Sequence, residues 1–306
     1  MKIGIISTSD IIIPLAYTLA AQKLQVYIFF ADGGSTSCLQ NTTMFAKQMQ
    51  IALDTENNKQ TLYSWIRETN CDAYFIMGYG RLIDVSRLTP QVHSCLFNIH
   101  FSLLPGYKGP IPLFWQLKHG VEKLGISIHR LSDKYDEGPV VWQKEYPNQD
   151  FFAYETASRY LSNMSAEGVF FLLNMMASGI PVIALSPSTT ILPSYYSRPQ
   201  GKDVLIDWDR MTAKEICDLI RACNPWNKGA ITLFKGQELK LMDGFIVENK
   251  TSETTAGTIV SDENTMQIYC RDGKLLQVNM VYYNECFIPT YQCKRWSFTV
   301  GQMVGL

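Results

Sequence analysis

The chain has 306 residues, 46% of them hydrophobic and 18% charged, and a formal net charge of −1. That length suits two domains, and the balance is that of a globular protein with a well-filled core. Near-neutrality argues against a protein that lives by gripping phosphate backbones, although one basic patch would be compatible with it. The eight cysteines (38, 71, 95, 217, 223, 270, 286 and 293) form no Cys-x-x-Cys pair and lie among apolar residues. They read as thiols in a reducing, cytoplasmic setting rather than as a disulfide framework or a zinc site.

The first residues, Met1 to Ala21, imitate a signal peptide. Ser7-Thr8-Ser9-Asp10 and Pro14 interrupt it, so a strand, a capped turn and a helix describe it better. Lys2 to Ser7 is the strand, Ile11 to Gln22 the helix, and Gln25 to Phe30 the next strand. This βαβ succession predicts a parallel sheet. The turn after the first strand lacks Gly-x-Gly-x-x-Gly, which disfavours a dinucleotide site. Ala31 to Thr43 reads as a polar loop, followed by helices over Met44–Gln50 and Lys59–Thr69. Ala73–Met77 is a strand that ends at Gly78-Tyr79-Gly80, where two glycines either let a ligand approach the backbone or merely make a turn.

Cys95 to Ile99 is a strand running into Asn98-Ile99-His100-Phe101-Ser102-Leu103-Leu104-Pro105. Alternation predicts Asn98, His100 and Ser102 on one face and Ile99 and Phe101 on the other. A helix over Leu113–Lys118, strands over Gly125–Leu131 and Val140–Glu145, and a long helix over Phe152–Ala177 follow. Gly168 to Leu185 is too interrupted to span a membrane and reads as a buried helix end, a glycine stop and a short strand. From Ile183 to Lys202 the composition shifts to that of an extended linker. Beyond it, Thr212 and Glu215 form a capping box for a helix to Cys223. Five strand-like runs (Ala230–Phe234, Leu239–Met242, Gly257–Val260, Met266–Tyr269 and Leu275–Tyr283) then predict a small OB-like β-barrel. The fold expected is α/β: a Rossmann-like catalytic domain (1–184), a linker (185–205) and an OB-like domain (206–306).

Asp136-Glu137-Gly138 supplies a carboxylate that can orient His100 and raise its hold on a proton. The Asn98 amide can donate to an oxyanion without titrating. Ser102 lies outside any Gly-x-Ser-x-Gly elbow. Each residue alone has a plainer reading: Asn98 as a loop cap, His100 as a satisfied buried histidine, Asp136 as a turn residue. Together they suit acyl or formyl transfer to an amine, or hydrolysis.

The pattern Asn98-x-His100-x-Ser102-Leu103-Leu104-Pro105-x-x-x-Gly109-x-x-Pro112, then Gly125 and Asp136-x-Gly138, closely resembles the 10-formyltetrahydrofolate-dependent formyltransferases. The resemblance implies catalytic roles for Asn98, His100 and Asp136, with 10-formyltetrahydrofolate as cosubstrate. It implies folate contacts at Met77, Gly78, Tyr79, Gly80, Leu82, Ser102, Leu104 and Asp133, acceptor contacts at Tyr107, Lys108 and Trp115, and no metal. Ile206-Asp207-Trp208, Ile220-Arg221-Ala222 and Asn224-Pro225-Trp226 resemble the start of the second domain that some members carry.

Glycinamide ribonucleotide formyltransferases stop after one domain and formyltetrahydrofolate hydrolases carry a regulatory domain in front, so neither is expected. Two acceptors remain: a nucleotide-linked amino sugar, favoured, and initiator methionyl-tRNA. The tRNA enzymes carry a basic loop after the second strand, whereas Ala31–Cys38 has no basic residue and neutralises phosphate poorly. Lys228, Lys235, Lys240, Lys294 and Arg295 would be the tRNA contacts. Trp115 and the Leu103–Gly109 loop look more like the amino-sugar enzymes, although Trp115 can equally be helix packing. A non-catalytic folate or sugar-nucleotide binder is opposed by the intact trio. Phe101 departs from the small residue usual there. No membrane association is expected, and a barrel-like second domain offers a surface for a homodimer.

Overall fold

The computed structural model describes residues 1–57, 61–186, 190–248, 254–261 and 265–305. The chain divides into two compact units. The first comprises Met1–Pro112, Lys123–Pro147 and Ser158–Ser197; the second comprises Leu113–Glu122, Asn148–Ala157 and Arg198–Leu306.

The first unit is built on β1 (Lys2–Ser7), α1 (Ile13–Ala21), β2 (Gln25–Phe30), α2 (Thr36–Met49), β3 (Ala52–Thr55), α3 (Leu62–Thr69), β4 (Ala73–Ile76), α4 (Pro90–Ser94) and β5 (Leu96–His100). After α5 (Pro112–Lys118) come β6 (Lys123–Arg130), β7 (Val140–Pro147) and α6 (Tyr154–Ala177). The seven strands form one sheet in the order β3-β2-β1-β4-β5-β6-β7. It is parallel from β3 to β5 and antiparallel at β6 and β7. This is the mostly parallel, Rossmann-like sheet expected. β1 and β4 read as continuous apolar runs because both of their faces are buried. Phe75 and Phe97, fully buried on neighbouring strands, stack with centroids 5.6 Å apart. Trp65 of α3 packs on Phe29 and Tyr74, and its indole N–H donates to Asp54 at 3.0 Å.

Several expected elements differ. α2 begins at Thr36, not Met44, because the Ser35 hydroxyl caps it by accepting from the Cys38 N–H at 3.1 Å. Its first two turns are polar and bury only Thr42, so they imitate a loop. β3, a short edge strand, carries too little apolar pattern to be read from sequence. The expected start of α3 at Lys59 lies outside the described residues; the helix is seen from Leu62, capped by Thr61. After α6, residues 180–186 form no strand, although the Leu185 N–H donates to the Val140 carbonyl at 2.7 Å. No helix among the described residues is long and apolar enough to cross a membrane.

The second unit contains α7 (Ala213–Cys223), β8 (Ala230–Phe234), β9 (Gln237–Val247), β10 (Ile259–Ser261), β11 (Met266–Tyr269), β12 (Leu275–Tyr283) and β13 (Cys286–Pro289). Thr212 and Glu215 form the capping box the sequence predicts. The strands make a curled antiparallel sheet in the order β10-β11-β12-β9-β8, with β13 on β12. β9 is longer than its apolar run, and β13 was not expected. The chain end closes the curl: Met303 bridges Thr258 beside β10, and Val304 bridges Phe234 of β8. Inside, Phe234 and Phe298 pack at 4.3 Å, and the Trp208 indole donates to the Thr232 hydroxyl at 2.9 Å.

Truncating Phe75 to alanine should cost about 3–5 kcal/mol, as for other buried aromatics. Urea unfolding would read this as a lower midpoint at unchanged slope. Leu192→Ser, at a side chain 81% exposed, should stay within about 0.5 kcal/mol of the parent.

Candidate functional site

Antiparallel pairing of β5 with β6 sets Asn98 opposite His129 and His100 opposite Ser127. Residues paired in register share a face, so Asn98, His100, Ser127 and His129 project together. The 136–138 turn lies between β6 and β7. Asp136 holds a left-handed φ of +54° there, and its Oδ2 accepts the Gly109 N–H at 2.8 Å. Gly138 is needed because a Cβ at that position would lie 1.7 Å from the Arg130 carbonyl oxygen. That oxygen in turn accepts from His129 Nδ1 at 2.8 Å.

These bonds fix where protons sit. A carbonyl only accepts, so His100 carries its proton on Nε2, 2.9 Å from the Tyr107 oxygen, and His129 carries its own on Nδ1. The two remaining imidazole nitrogens both face Asp136 Oδ1: His100 Nδ1 at 3.4 Å and His129 Nε2 at 3.6 Å. His129 Nε2 also accepts from the Asn98 amide at 2.9 Å. That uses one amide hydrogen of Asn98 and leaves the other for a ligand. A neutral acceptor and a carboxylate facing each other form a place for one proton.

Asn98, His129 and Asp136 line an open cleft in the first unit, whereas His100 is buried and not among its lining. Ile76, Leu82, Ile83 and Leu131 give it apolar walls, Tyr79 and Tyr135 add rings, and Asn98, His129 and Asp136 supply polar groups. Arg81, Ser132 and Lys134 complete the lining. Such a mixture fits a flat heterocycle edged with hydrogen-bonding groups, as the pterin of a folate is.

Of the residues expected to touch folate, Tyr79 and Leu82 line this cleft, whereas Met77, Gly78, Gly80, Ser102, Leu104 and Asp133 are not among its lining. Ser102 is fully buried beyond the end of β5, and its hydroxyl donates to the Gly106 carbonyl at 2.7 Å. Leu104 is buried, and its N–H donates to Ser127 Oγ. The Gly78 carbonyl accepts from the Thr8 N–H and hydroxyl. Phe101, 7% exposed, is a core residue outside the cleft lining. Tyr107 contributes its backbone carbonyl to His100, while its ring stacks on Tyr196 at 5.3 Å. Lys108 Nζ lies 3.4 Å from Glu137. Trp115 belongs to the second unit, where it packs edge-on against Phe114 beneath Lys118.

Sequence reasoning missed His129. Alternation along Gly125-x-Ser127-x-His129 was a signal for its face, but the register that sets it against Asn98 was not legible. Asp136 does pull the His100 pKa upward as expected, but the net shift is the opposite one. Burial depresses the His100 pKa below its usual value, and neither Asp136 nor the Tyr107 carbonyl, which both pull upward, reverses this. For Asp136, burial pushes upward, but His129, His100 and the Gly109 N–H together hold its pKa below the usual carboxylate value. At neutral pH, His100 is therefore neutral and Asp136 ionised.

Both shifts have one sign for stability. The unfolded chain takes up protons at a higher pH than the folded one, so stability is present above the unfolded values of about 6.5 for histidine and 3.9 for aspartate. It is lost as pH falls through the folded values. Urea unfolding should therefore show stability declining as pH drops from 7 to about 5, with a shallower decline in His100→Gln, which has nothing to protonate there.

Residues 34–167 match the Formyl transferase family, and residues 200–282 match the Formyl transferase, C-terminal domain. A methionyl-tRNA formyltransferase of Pelotomaculum thermopropionicum is 31% identical over 186 residues, 61% of this chain and 58% of that relative's length. HypX from Aquifex aeolicus, solved with tetrahydrofolic acid, superposes with a TM-score of 0.67 at 16% identity, covering 96% of this chain and 46% of that one. The N-formyltransferase from Helicobacter canadensis, solved with folinic acid and dTDP-3-aminofucose, has a TM-score of 0.61 at 18% identity, covering 91% and 98%. These structures share the fold. Two successive family matches in order along one chain give it a formyl transferase domain followed by a formyl transferase C-terminal domain.

Proposed function

We propose that this chain transfers the formyl group of 10-formyltetrahydrofolate to a primary amine, and that the amine belongs to a nucleotide-linked amino sugar. The observation that carries the chemistry is the gathering of Asn98, His100, His129 and Asp136 around one shared proton position beside a cleft of mixed lining. The amine attacks the formyl carbon, and the free hydrogen of the Asn98 amide donates to the carbonyl oxygen as it gains charge. His100 enters neutral, so its Nδ1 can take the proton that the attacking amine loses. Asp136 balances the imidazolium that results, and that charge adds to stabilisation of the oxyanion. The C–N10 bond then breaks, and His100 returns the proton to N10 of the departing tetrahydrofolate. His129 acts by holding Asn98 in place.

Only Ala31–Ser35 separate β2 from α2, and none of them is basic, so this turn has no arm with which to neutralise a phosphate backbone. The Helicobacter canadensis neighbour, whose complex holds an amino sugar on dTDP, matches along nearly its whole length. Methionyl-tRNA is the second reading, favoured by the names of the sequence relatives. Against it, Lys228 donates to the Tyr282 hydroxyl and Lys240 to the Asn227 carbonyl.

His100→Ala and Asp136→Ala should abolish transfer while leaving the fold intact by circular dichroism. Asn98→Ala should cost about 10²–10³ in kcat, as removal of an oxyanion donor does. The acceptor is tested by supplying dTDP-linked 3-amino sugars and methionyl-tRNA to the folate-loaded protein. Turnover and thermal stabilisation by the sugar nucleotide are expected. Turnover on methionyl-tRNA alone would overturn the sugar assignment.

A further inference from the structure

The loop that serves the site is held from two sides. On one, the Ser127 hydroxyl donates to the Ser102 carbonyl, accepts the Leu104 N–H and accepts from Gln143. On the other, a segment some ninety positions further along the chain crosses residues 105–109 as a strap. The Ser194 N–H donates to the Pro105 carbonyl, the Ser194 carbonyl accepts the Lys108 N–H at 2.8 Å, and the Tyr196 N–H donates to the Lys108 carbonyl at 2.9 Å. Tyr195 and Lys108 form a parallel bridge. The approach is close enough that a Cβ on Gly109 would meet the Tyr196 carbonyl oxygen at 2.0 Å.

Tyr107 lies beneath this strap with a left-handed φ of +54°, an uncommon conformation for a side chain of its size. It is held on both flanks: its N–H donates to Ser194 Oγ at 2.8 Å, and its carbonyl accepts His100 Nε2–H at 2.9 Å. Next in sequence but one, Gly109 donates its N–H to Asp136. The strap thus bears on two backbone groups of the catalytic cluster without itself lining the cleft.

We infer that Ser194 is a positioning residue: by holding the Tyr107 peptide, it keeps the proton of neutral His100 on Nε2 and leaves Nδ1 open towards Asp136. Without the hydroxyl, the Tyr107 N–H loses its acceptor, the left-handed residue relaxes, and its carbonyl withdraws from His100. The imidazole can then place its proton on Nδ1, against Asp136, where the incoming amine proton must go. Asp136 and His129 are the titratable groups that bear on His100 there, and both remain in the variant.

The kinetic arm rests on the formyl transfer proposed above; the spectroscopic arm does not. In Ser194→Ala, kcat should fall about ten-fold, the worth of one well-placed hydrogen bond. KM for 10-formyltetrahydrofolate should stay within about two-fold, because the residue is off the cleft. The ¹⁵N spectrum of the His100 ring should show the Nδ1–H form appearing, and Ser194→Thr, which keeps the hydroxyl, should restore both readouts. An unchanged ring spectrum in Ser194→Ala would overturn the inference, as would a fall in kcat without a tautomer change. So would loss of the fold in Ser194→Ala, which would make the residue structural. If the parent protein transfers no formyl group, the functional reading fails, and the ring spectrum still decides whether Ser194 sets the imidazole.

Discussion

A buried carboxylate is costly unless its charge is met, and the meeting of Asp136 governs the geometry of the first unit's site. One oxygen takes a backbone N–H from Gly109, and the other faces two imidazoles. Each imidazole has its far nitrogen tied to a main-chain carbonyl, Tyr107 for His100 and Arg130 for His129. The main chain therefore sets the tautomers, and the tautomers set what Asp136 can exchange. Asn98 is tied into the same arrangement through His129. Remove the carboxylate, and His129 Nε2 still accepts from the Asn98 amide, but the His100 Nδ1 lone pair loses the carboxylate it faces.

The sheet delivers this arrangement by changing direction. β5 is the last parallel strand, and its other neighbour, β6, runs against it. An antiparallel neighbour brings His129, thirty-one positions from Asn98, directly opposite it. The glycines of the motif are explained by approach rather than by turning alone. A side chain at Gly138 would strike the Arg130 carbonyl that holds His129, and one at Gly109 would strike the strap over Tyr107. The motif glycines thus protect the same hydrogen bonds that the motif histidine and aspartate use.

Within the second unit, many polar side chains that a sequence reading would leave open for ligands are already engaged. Lys240, Arg221 and Asp218 satisfy carbonyls or one another, and Trp208 and Thr232 form a buried pair. The last residues close the curl between β10 and β8, covering edges that would otherwise present unpaired backbone groups.

Period and punctuation in the sequence determined most of this protein. Apolar runs marked β1, β2, β4 and β5, and the capping box at Thr212 marked α7, because those signals are local. Asn98, His100 and Asp136 narrowed the chemistry to acyl or formyl transfer or hydrolysis, since side-chain type limits what can donate, accept or titrate. Polar α2 and the edge strand β3 escaped because neither carries a strong apolar stripe. What only the tertiary structure decided was pairing: His129 against Asn98, Ser194 against Tyr107, the chain end against β8 and β10. Each depends on register between distant segments, which no local pattern encodes. The protonation of His100 belonged to the tertiary structure for a related reason. A neighbouring carboxylate pulls its pKa upward and burial pulls it down, and only the packed site shows that burial prevails.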